Sequence, residues 1–223
     1  MPANFNRIAR AYRWLEYASF GPMLKRCRFY WMDGTFLNDR QNALVVGDGD
    51  GRFTARLLRC NTLLNVEAVD ASSAMLSLLQ KRVAAAGNRS RLTTWCEDAR
   101  LFIPKGEYDL VATHFFLDCL ATDEIAALAA RIRPHLSSNA VWIVSDFGIP
   151  SGIAALPGRA IVSLLYAAFG VLTGLEVRRL PGHSGALAGA GFSRTKRKEW
   201  LGGLLFSELW ELKTTDGAPT VSH

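Results

Sequence analysis

Short apolar runs alternate with helical patterns from residue 41 to residue 146, and this alternation constrains the fold more than any other feature of the chain. Five runs are predicted strands, at residues 43–47, 66–70, 92–96, 108–113 and 140–145. Helical patterns follow the first, second and fourth runs, at residues 53–58, 75–83 and 123–132. Strands that alternate with helices and are apolar on both faces form parallel sheets covered on both sides. We therefore predict an α/β fold with helices on both faces of a mostly parallel sheet.

The two ends of the chain depart from this pattern. Residues 191–200 and 204–213 are strand-like and are joined through a glycine pair, so we expect an antiparallel hairpin at one edge of the sheet. Together with the five earlier strands, this hairpin predicts a seven-stranded sheet. The first residues are predicted to be helical, with an aromatic-rich face. We therefore divide the chain into an N-terminal helical cap, residues 1–40, and a main domain, residues 41–223, within one compact unit.

Charge is spread unevenly along the chain, whose net charge is +6. Residues 1–40 hold 7 basic and 3 acidic residues (+4), residues 41–150 hold 11 and 12 (−1), and residues 151–223 hold 8 and 5 (+3). Basic flanks attract polyanions, but no motif that reads a nucleic-acid groove accompanies them. We therefore expect solvated surface rather than a nucleic-acid partner, with the basic cluster at residues 194–198 on an exposed edge strand.

Four cysteines are scattered along the chain, at positions 27, 60, 96 and 119. None forms a C-x-x-C pair or lies near a histidine at zinc-ligand spacing, so we expect reduced core residues and no metal site. The start of the chain shows no apolar leader, and the longest nearly apolar run, Ala160 to Leu172, is shorter than the about 20 residues that cross a bilayer. These features predict a cytoplasmic protein, with peripheral membrane contact through this run left open. The sequence does not indicate the oligomeric state.

A glycine-rich loop follows the first predicted strand, with glycines at positions 47, 49 and 51 and aspartates at positions 48 and 50. Glycines at this spacing allow unusual backbone angles and let a ligand approach the main chain. The dinucleotide fingerprint G-x-G-x-x-G needs its third glycine at position 52, which is Arg52. Two carboxylates would also repel a pyrophosphate, so the loop favours a ligand that carries a cationic group.

Two more acids follow the next strands. Asp70 ends the second strand, where a carboxylate can accept hydrogen bonds from both hydroxyls of a ribose. Asp98 follows the third strand, in position to accept the amino group of an adenine. The alternatives are a helix N-cap for Asp70 and an ordinary loop acid for Asp98. The three positions together predict a pocket for an adenosine that bears an amino-acid tail.

In its motifs and their spacing, the chain resembles the class I S-adenosylmethionine-dependent methyltransferases. Residues 44–51 (LVVGDGDG) are similar to the first motif of that family, residues 70–76 (DASSAML) to the second and residues 97–99 (EDA) to the third. Residues 108–111 (YDLV) resemble the entry to the fourth motif, and residues 133–136 (RPHL) the helix end before the fifth strand. The opening residues 5–12 (FNRIARAY) weakly resemble the start of quinone-biosynthetic methyltransferases.

The resemblance covers about residues 40–147 and implies a Rossmann-like fold. It implies S-adenosyl-L-methionine as the cofactor and S-adenosyl-L-homocysteine as the product. The residues that it places at the cofactor are Gly47, Asp48, Gly49, Gly51, Asp70, Ala71, Met75, Asp98, Ala99 and His114.

Two departures from the family pattern bear on function. The family usually has an acid two residues before the first glycine, where this chain has Val45. Either Asp48 or Asp50 takes over the contact of that acid with the methionine end, or that end is held more loosely. After the fourth strand, Thr113-His114-Phe115-Phe116 stands where methyltransferases of amino groups have Asn/Asp-Pro-Pro-Tyr/Phe. This departure argues against methylation of nucleobase or protein amide nitrogens.

Candidate acceptor-side residues lie at the end of the fourth strand and in the N-terminal cap. His114 is the candidate general base, and a histidine merely packed beneath the cap is the alternative. Phe115, Tyr12 and Tyr17 are candidate substrate contacts. Two further acids, at positions 118 and 146, are expected at the rim of the site.

We therefore expect methyl transfer to a small-molecule acceptor, at oxygen or carbon, with lipophilic acceptors included. A non-catalytic relative that binds the cofactor or another protein is the main alternative. A nicotinamide-dependent oxidoreductase and a nucleic-acid methyltransferase are less favoured by the loop and by the charge pattern.

Overall fold

The computed structural model of the chain describes residues 21–149 and 181–213. Its seven strands are β1 (Asn42–Val46), β2 (Asn65–Asp70), β3 (Leu92–Cys96), β4 (Tyr108–His114), β5 (Leu136–Phe147), β6 (Phe192–Trp200) and β7 (Leu205–Leu212). The described helices are α1 (residues 21–28), α2 (Arg52–Cys60), α3 (Ser73–Ala85), α4 (Thr122–Ile132) and α5 (His183–Gly189). Every predicted strand is present, β5 being longer than expected at both ends, whereas α5 was not predicted.

The strands form one sheet in the order β3-β2-β1-β4-β5-β7-β6. Strands β1 to β5 pair in parallel, and β7 pairs antiparallel with both β5 and β6. The prediction of a mostly parallel seven-stranded sheet with an antiparallel edge hairpin is confirmed. The chain leaves β1 toward β3 and then returns to β4, so the order reverses between β1 and β4. In open α/β sheets, ligands bind beyond the carboxyl ends of the strands at such a reversal.

Both faces of the sheet are covered, as predicted. On one face, Val111 and Trp142 pack against α4 and α5. On the other face, Val45 and Leu110 pack against α2 and α3, together with Leu37 from the segment before β1. Because β1 and β4 are apolar on both faces, they can lie only in the centre of such a sheet.

Local signals set the ends of the helices. The Ser72 hydroxyl accepts the Met75 N–H at 3.3 Å and so begins α3. Helix α3 ends before Gly87, whose φ of +74° is the left-handed conformation that commonly stops a helix, as predicted. Helix α4 ends at Ile132, two residues before Pro134.

Strand β6 lies at the edge of the sheet, and the basic residues 194–198 along it are exposed, as expected. Two of them nevertheless have a partner inside the protein. The carboxylate of Glu208 on β7 is 0% exposed and accepts hydrogen bonds from Arg194 and Arg197, from Trp210, and from His183 of α5. This buried ion-pair network joins α5 to the hairpin.

The cysteine prediction is partly wrong. All four cysteines are free, but only Cys27 is buried, whereas Cys60 and Cys96 are exposed because they stand at the last residues of α2 and β3. Helix α1 lies near the carboxyl end of β5 and the amino end of β7, where the Cys27 thiol donates to the carbonyl oxygen of Phe206 at 3.0 Å.

Several predictions fall outside the described residues. They concern the first half of the helical cap with Tyr12 and Tyr17, the resemblance at residues 5–12, and the apolar run from Ala160 to Leu172. Within residues 21–149 and 181–213, no helix combines the length and the apolar character that crossing a membrane requires.

Candidate functional site

The loop between β1 and α2 depends on its three glycines, which all have positive φ angles between 61° and 77°. A Cβ on Gly47 would lie 2.2 Å from the ring of Phe116, and one on Gly51 would lie 2.5 Å from Leu79. Among the residues that the structure describes, a Cβ on Gly49 would meet nothing within 4 Å. The outer glycines therefore pack against the protein, whereas Gly49 presents bare backbone to open space in which a ligand can lie.

The two loop carboxylates are bound to the protein itself. Asp48 is buried, and its carboxylate accepts the N–H groups of Phe53 at 3.4 Å and Thr54 at 2.9 Å, in the first turn of α2. Asp50 accepts hydrogen bonds from Arg52 at 3.1 Å and from Arg82 at 3.0 Å. This arrangement differs from the expectation that one of the two carboxylates contacts the cofactor.

Asp70 is the last residue of β2, and its carboxylate contacts both the glycine loop and the turn that leads into α3. Its carboxylate accepts the N–H of Ser72 at 2.8 Å and faces the backbone N–H of Gly49. Burial raises the pKa of Asp70 to about 6, although these two N–H groups oppose the effect. The N-cap alternative is wrong, because Ser72 is the residue that caps α3. Next to it, Ala71 is exposed, and Met75 packs beneath.

Asp98 is held by a neighbouring side chain. The Arg100 guanidinium donates to both carboxylate oxygens, at 2.7 to 3.0 Å, and also reaches Glu124 at 3.3 Å. These hydrogen bonds, against a small opposing effect of burial, lower the pKa of Asp98. Ala99 is buried, and its carbonyl oxygen accepts a hydrogen bond from Arg131 at 3.0 Å. Asp98 thus stands at the predicted position, but it shares its carboxylate with Arg100.

His114, at the end of β4, is 2% exposed and packs against the Phe53 ring at 4.1 Å between centroids. Neither ring nitrogen has a hydrogen-bond partner among the described residues. Burial, together with the charge of Arg28, lowers the pKa of His114 well below 6.5, so the imidazole is neutral. This geometry matches the alternative of a packed histidine more closely than that of a side chain open to a cavity.

The next two residues pack in different directions. Phe115 has a φ of 54°, which is unusual for a residue with a Cβ, and its ring contacts that of Phe147 at 5.3 Å. The ring is buried, so the described residues place Phe115 in a small apolar cluster rather than at an open surface. Phe116, which was not predicted as a site residue, covers Gly47.

Of the two acids expected at the rim of the site, Asp118 is half-buried, whereas Asp146 is enclosed. Asp146 is 3% exposed, and its oxygens accept the N–H groups of Asp118 at 3.1 Å and Phe147 at 2.9 Å. The two carboxyl groups also share a hydrogen bond. Burial raises the pKa of Asp118 to about 6 and that of Asp146 well above 3.8. The sequence signal for Asp118 and Asp146 is that an acid follows β4 and another lies near the end of β5, the strand that pairs with β4.

A cavity of about 340 Å³ opens at the opposite edge of the sheet, near the amino ends of β1 to β3. Asn42, Asn65, Glu67 and Tyr108 are among its lining residues, and none of the predicted site residues lines it. Within the described residues, no three His, Cys, Asp or Glu side chains are arranged to hold a metal ion.

Comparison with known proteins matches residues 43–139 to the family model of a methyltransferase domain. This match confirms the resemblance seen in the sequence motifs, because it spans β1 to the start of β5, including the glycine loop, Asp70 and Asp98.

Among curated proteins, the chain is 35% identical over 116 residues to a polyamine aminopropyltransferase of Clostridium acetobutylicum. The match covers 49% of this chain and 38% of that protein. The chain therefore spans well under half the length of this curated relative.

Solved structures share the fold at lower identity. A mitomycin 7-O-methyltransferase superposes with a TM-score of 0.71 at 18% identity, over 93% of this chain and 60% of that chain. An O-methyltransferase family protein of Burkholderia thailandensis gives 0.70 at 13% identity, over 94% and 61%. An O-methyltransferase family 2 protein of Planctomyces limnophilus, in complex with apigenin, gives 0.67 at 20% identity, over 89% and 61%. At these identities, the likeness shows the fold alone.

Proposed function

We propose that the protein transfers the methyl group of S-adenosylmethionine to a small-molecule acceptor, preferably at an oxygen. The observation that carries the proposal is the contact between the glycine loop and Asp70. The Gly49 N–H faces the Asp70 carboxylate, and open space lies above Gly49, all within the stretch that matches a methyltransferase domain. This combination favours the proposal over the nicotinamide and nucleic-acid alternatives.

The residues at this edge of the sheet fit the cofactor. Asp70 would hold the ribose hydroxyls, and the exposed backbone around Gly49 would lie along the amino-acid tail. Ala71 and Met75 would contact the adenosine, with the adenine beside Ala99 and with Asp98 reaching its amino group. When bound, S-adenosylmethionine supplies an electrophilic methyl group on a positively charged sulfonium, which suits the carboxyl-rich surroundings.

For an activated methyl group, the protein mainly needs to align the acceptor and to exclude water. Proximity and orientation alone can lower a barrier by roughly 7–11 kcal/mol. The solved relatives are named as O-methyltransferases, and one was crystallised with apigenin, a phenolic compound. We therefore propose a hydroxyl on a small aromatic molecule as the acceptor, with Tyr12, Tyr17 and Phe115 as candidate contacts.

A hydroxyl acceptor must lose its proton, and we keep His114 as the candidate base. The observation in its favour is that both ring nitrogens are without a hydrogen-bond partner in the described part of the chain, so either could accept the proton. His114→Ala should then lose most methyl transfer at pH 7 while S-adenosylhomocysteine still binds. Unchanged turnover would assign His114 to packing alone.

The proposed function is tested by titrating the protein with S-adenosylhomocysteine in a calorimeter. We expect micromolar binding that Asp70→Ala abolishes and that Asp123→Ala preserves, because Asp123 is an exposed acid at the start of α4. Labelled S-adenosylmethionine with a panel of phenols then reports methyl transfer. If the wild-type protein does not bind S-adenosylhomocysteine, the chain shares only the fold of the family.

A second candidate is the activity for which the curated relative is named, transfer of an aminopropyl group to a polyamine. The observation that favours it is the carboxyl-rich edge formed by Asp70, Asp118 and Asp146, which suits a cationic acceptor. The two reactions leave different nucleosides. Methyl transfer releases S-adenosylhomocysteine, whereas aminopropyl transfer from the decarboxylated sulfonium releases methylthioadenosine, and chromatography of the products decides between them.

A further inference from the structure

The bare backbone of Gly49 lies between two aspartates that anchor the glycine loop to different helices. On one side, Asp48 accepts N–H groups in the first turn of α2, that of Thr54 at 2.9 Å. On the other side, Asp50 is bound to Arg82, which lies in the last turn of α3. Because a glycine has more backbone freedom than any other residue, these two anchors determine the conformation of the loop at Gly49.

Arg82 makes two hydrogen bonds to Asp50, one to the side chain and one to the main chain. Its Nη2 donates to the carboxylate oxygen Oδ2 at 3.0 Å, and its Nε donates to the main-chain carbonyl oxygen at 3.0 Å. The Asp50 side chain is 11% exposed, whereas that of Arg82 is 39% exposed. A guanidinium group holds its donors in a rigid plane, so the two bonds together fix both the position and the orientation of the peptide group between Asp50 and Gly51.

The contact between Arg82 and Asp50 acts on the loop rather than on the stability of the whole fold. An ion pair with a half-exposed arginine contributes little to the free energy of unfolding, because water and salt screen it. It does restrict the main chain of a loop whose three glycines would otherwise sample many conformations. The same face of α3 supports the loop at Gly51, because Leu79, one turn before Arg82, leaves no room for a Cβ there.

We propose that Arg82 is a positioning residue for cofactor binding, which holds the glycine loop in the conformation that the amino-acid tail of S-adenosylmethionine requires. This inference rests on the proposed function, because it needs a ligand along the exposed backbone of Gly49. Arg82 acts through Asp50 and the main chain of the loop rather than through a contact of its own with the ligand. A loop that is already ordered in the free protein loses less conformational entropy on binding, so the affinity is higher.

The test compares the variants Arg82→Met and Arg52→Met. The Arg52 Nε donates to the same Asp50 carboxylate oxygen at 3.1 Å, but Arg52 lies only two residues further along the chain. Each variant removes one positive charge beside the same carboxylate, and Met keeps the apolar stem of the side chain. Arg52→Met is therefore the matched control for charge, because it leaves the bond between Arg82 and the main chain of the loop in place.

Calorimetry with S-adenosylhomocysteine measures the effect on binding. Arg82→Met should bind about tenfold more weakly than the wild-type protein, which corresponds to fixing the backbone of about one more residue on binding. Arg52→Met should stay within about twofold of the wild-type affinity, because an exposed charge contributes little. An affinity that is unchanged in Arg82→Met, or that falls equally in both variants, overturns the inference while the proposed function stands.

Amide hydrogen exchange in the free protein gives a second measurement that needs no ligand. The Gly51 N–H donates to the main-chain carbonyl oxygen of Asp48 at 3.4 Å, so its exchange reports the order of the loop. This exchange should be about tenfold faster in Arg82→Met than in the wild-type protein, and the difference should shrink when S-adenosylhomocysteine saturates both proteins. Equal exchange in the two free proteins overturns the inference. A wild-type protein that does not bind S-adenosylhomocysteine overturns the proposed function and this inference with it.

Discussion

The substitution Glu208→Gln should expose how strongly one buried charge holds the edge hairpin to the sheet. The Glu208 carboxylate on β7 accepts hydrogen bonds from Arg194 at 2.8 Å, from Trp210 at 2.8 Å and from His183 at 3.1 Å, and also from Arg197. Burial raises the pKa of Glu208, but the hydrogen bonds and charges of His183 and Arg197 outweigh burial and lower it to about 2, from 4.5. The folded protein therefore favours the ionised carboxylate.

The size of the effect follows from these two pKa values. The difference between 4.5 and about 2 corresponds to about 3 kcal/mol of unfolding free energy at neutral pH. Because the pKa is lower in the folded state, this stabilisation is present above pH 4.5 and is lost as the pH falls toward 2. Glu208→Gln removes the charge and leaves two arginines without their anion, so we expect a loss of about 3 kcal/mol at pH 7.

Urea unfolding of both proteins at several pH values checks this reasoning. The difference in unfolding free energy between wild type and Glu208→Gln should be largest above pH 5 and should shrink by about 1.4 kcal/mol for each pH unit below 4.5. The comparison of the two proteins cancels the acid sensitivity of all other groups. A difference that is constant from pH 7 to pH 3.5 would refute the argument, because the carboxylate would then contribute without titrating.

Three further predictions concern the glycine loop and its neighbours. Gly51→Ala should lower the unfolding free energy, measured by urea unfolding, by about 1–3 kcal/mol, because its Cβ would lie 2.5 Å from Leu79. Gly49→Ala should lower the unfolding free energy by only about 1 kcal/mol and should mainly weaken S-adenosylhomocysteine binding, measured by calorimetry. The affinity for S-adenosylhomocysteine should fall about tenfold per pH unit below pH 6, because binding needs the ionised Asp70 carboxylate and the pKa of Asp70 is raised to about 6. An affinity that is equal at pH 5 and pH 7 would contradict this role of Asp70. His114→Leu should raise the unfolding free energy at pH 7 by about 1 kcal/mol, because it removes two buried nitrogens that have no hydrogen-bond partner among the described residues. It should also reduce the loss of stability below pH 6.5, since the imidazole of the folded state binds protons less readily than that of the unfolded chain. Equal acid sensitivity of the two proteins in urea unfolding would count against this prediction.

Local pattern was enough to predict the sheet, because the signals for it lie within a few residues. Strands β1 and β4 are apolar on both faces, which requires a central place in a covered parallel sheet. The positive φ angles of Gly47, Gly49 and Gly51 follow from a tight strand-to-helix turn that residues with a Cβ rarely adopt. Helix α5 was not predicted, because its seven residues have neither a capping side chain nor a regular apolar face.

Local sequence pattern did not predict which groups the charged side chains contact. Asp48 turns inward to the first turn of α2, and Asp98 is held by Arg100. The Asp146 carboxylate accepts the backbone N–H of Asp118, although 28 residues separate the two along the chain. Each carboxylate can choose among many donors, and the choice depends on which groups the fold brings within about 3 Å.

The sequence by itself thus determined the order of strands and helices, the glycine loop and the position of Asp70, since apolar periodicity and backbone sterics act over short stretches of chain. Only the tertiary structure decided which acids face open space, which are enclosed, and that His114 lies neutral in the core. The physical reason is that burial and the pairing of charges are properties of the assembled sheet, helices and turns, and a chain position does not specify them.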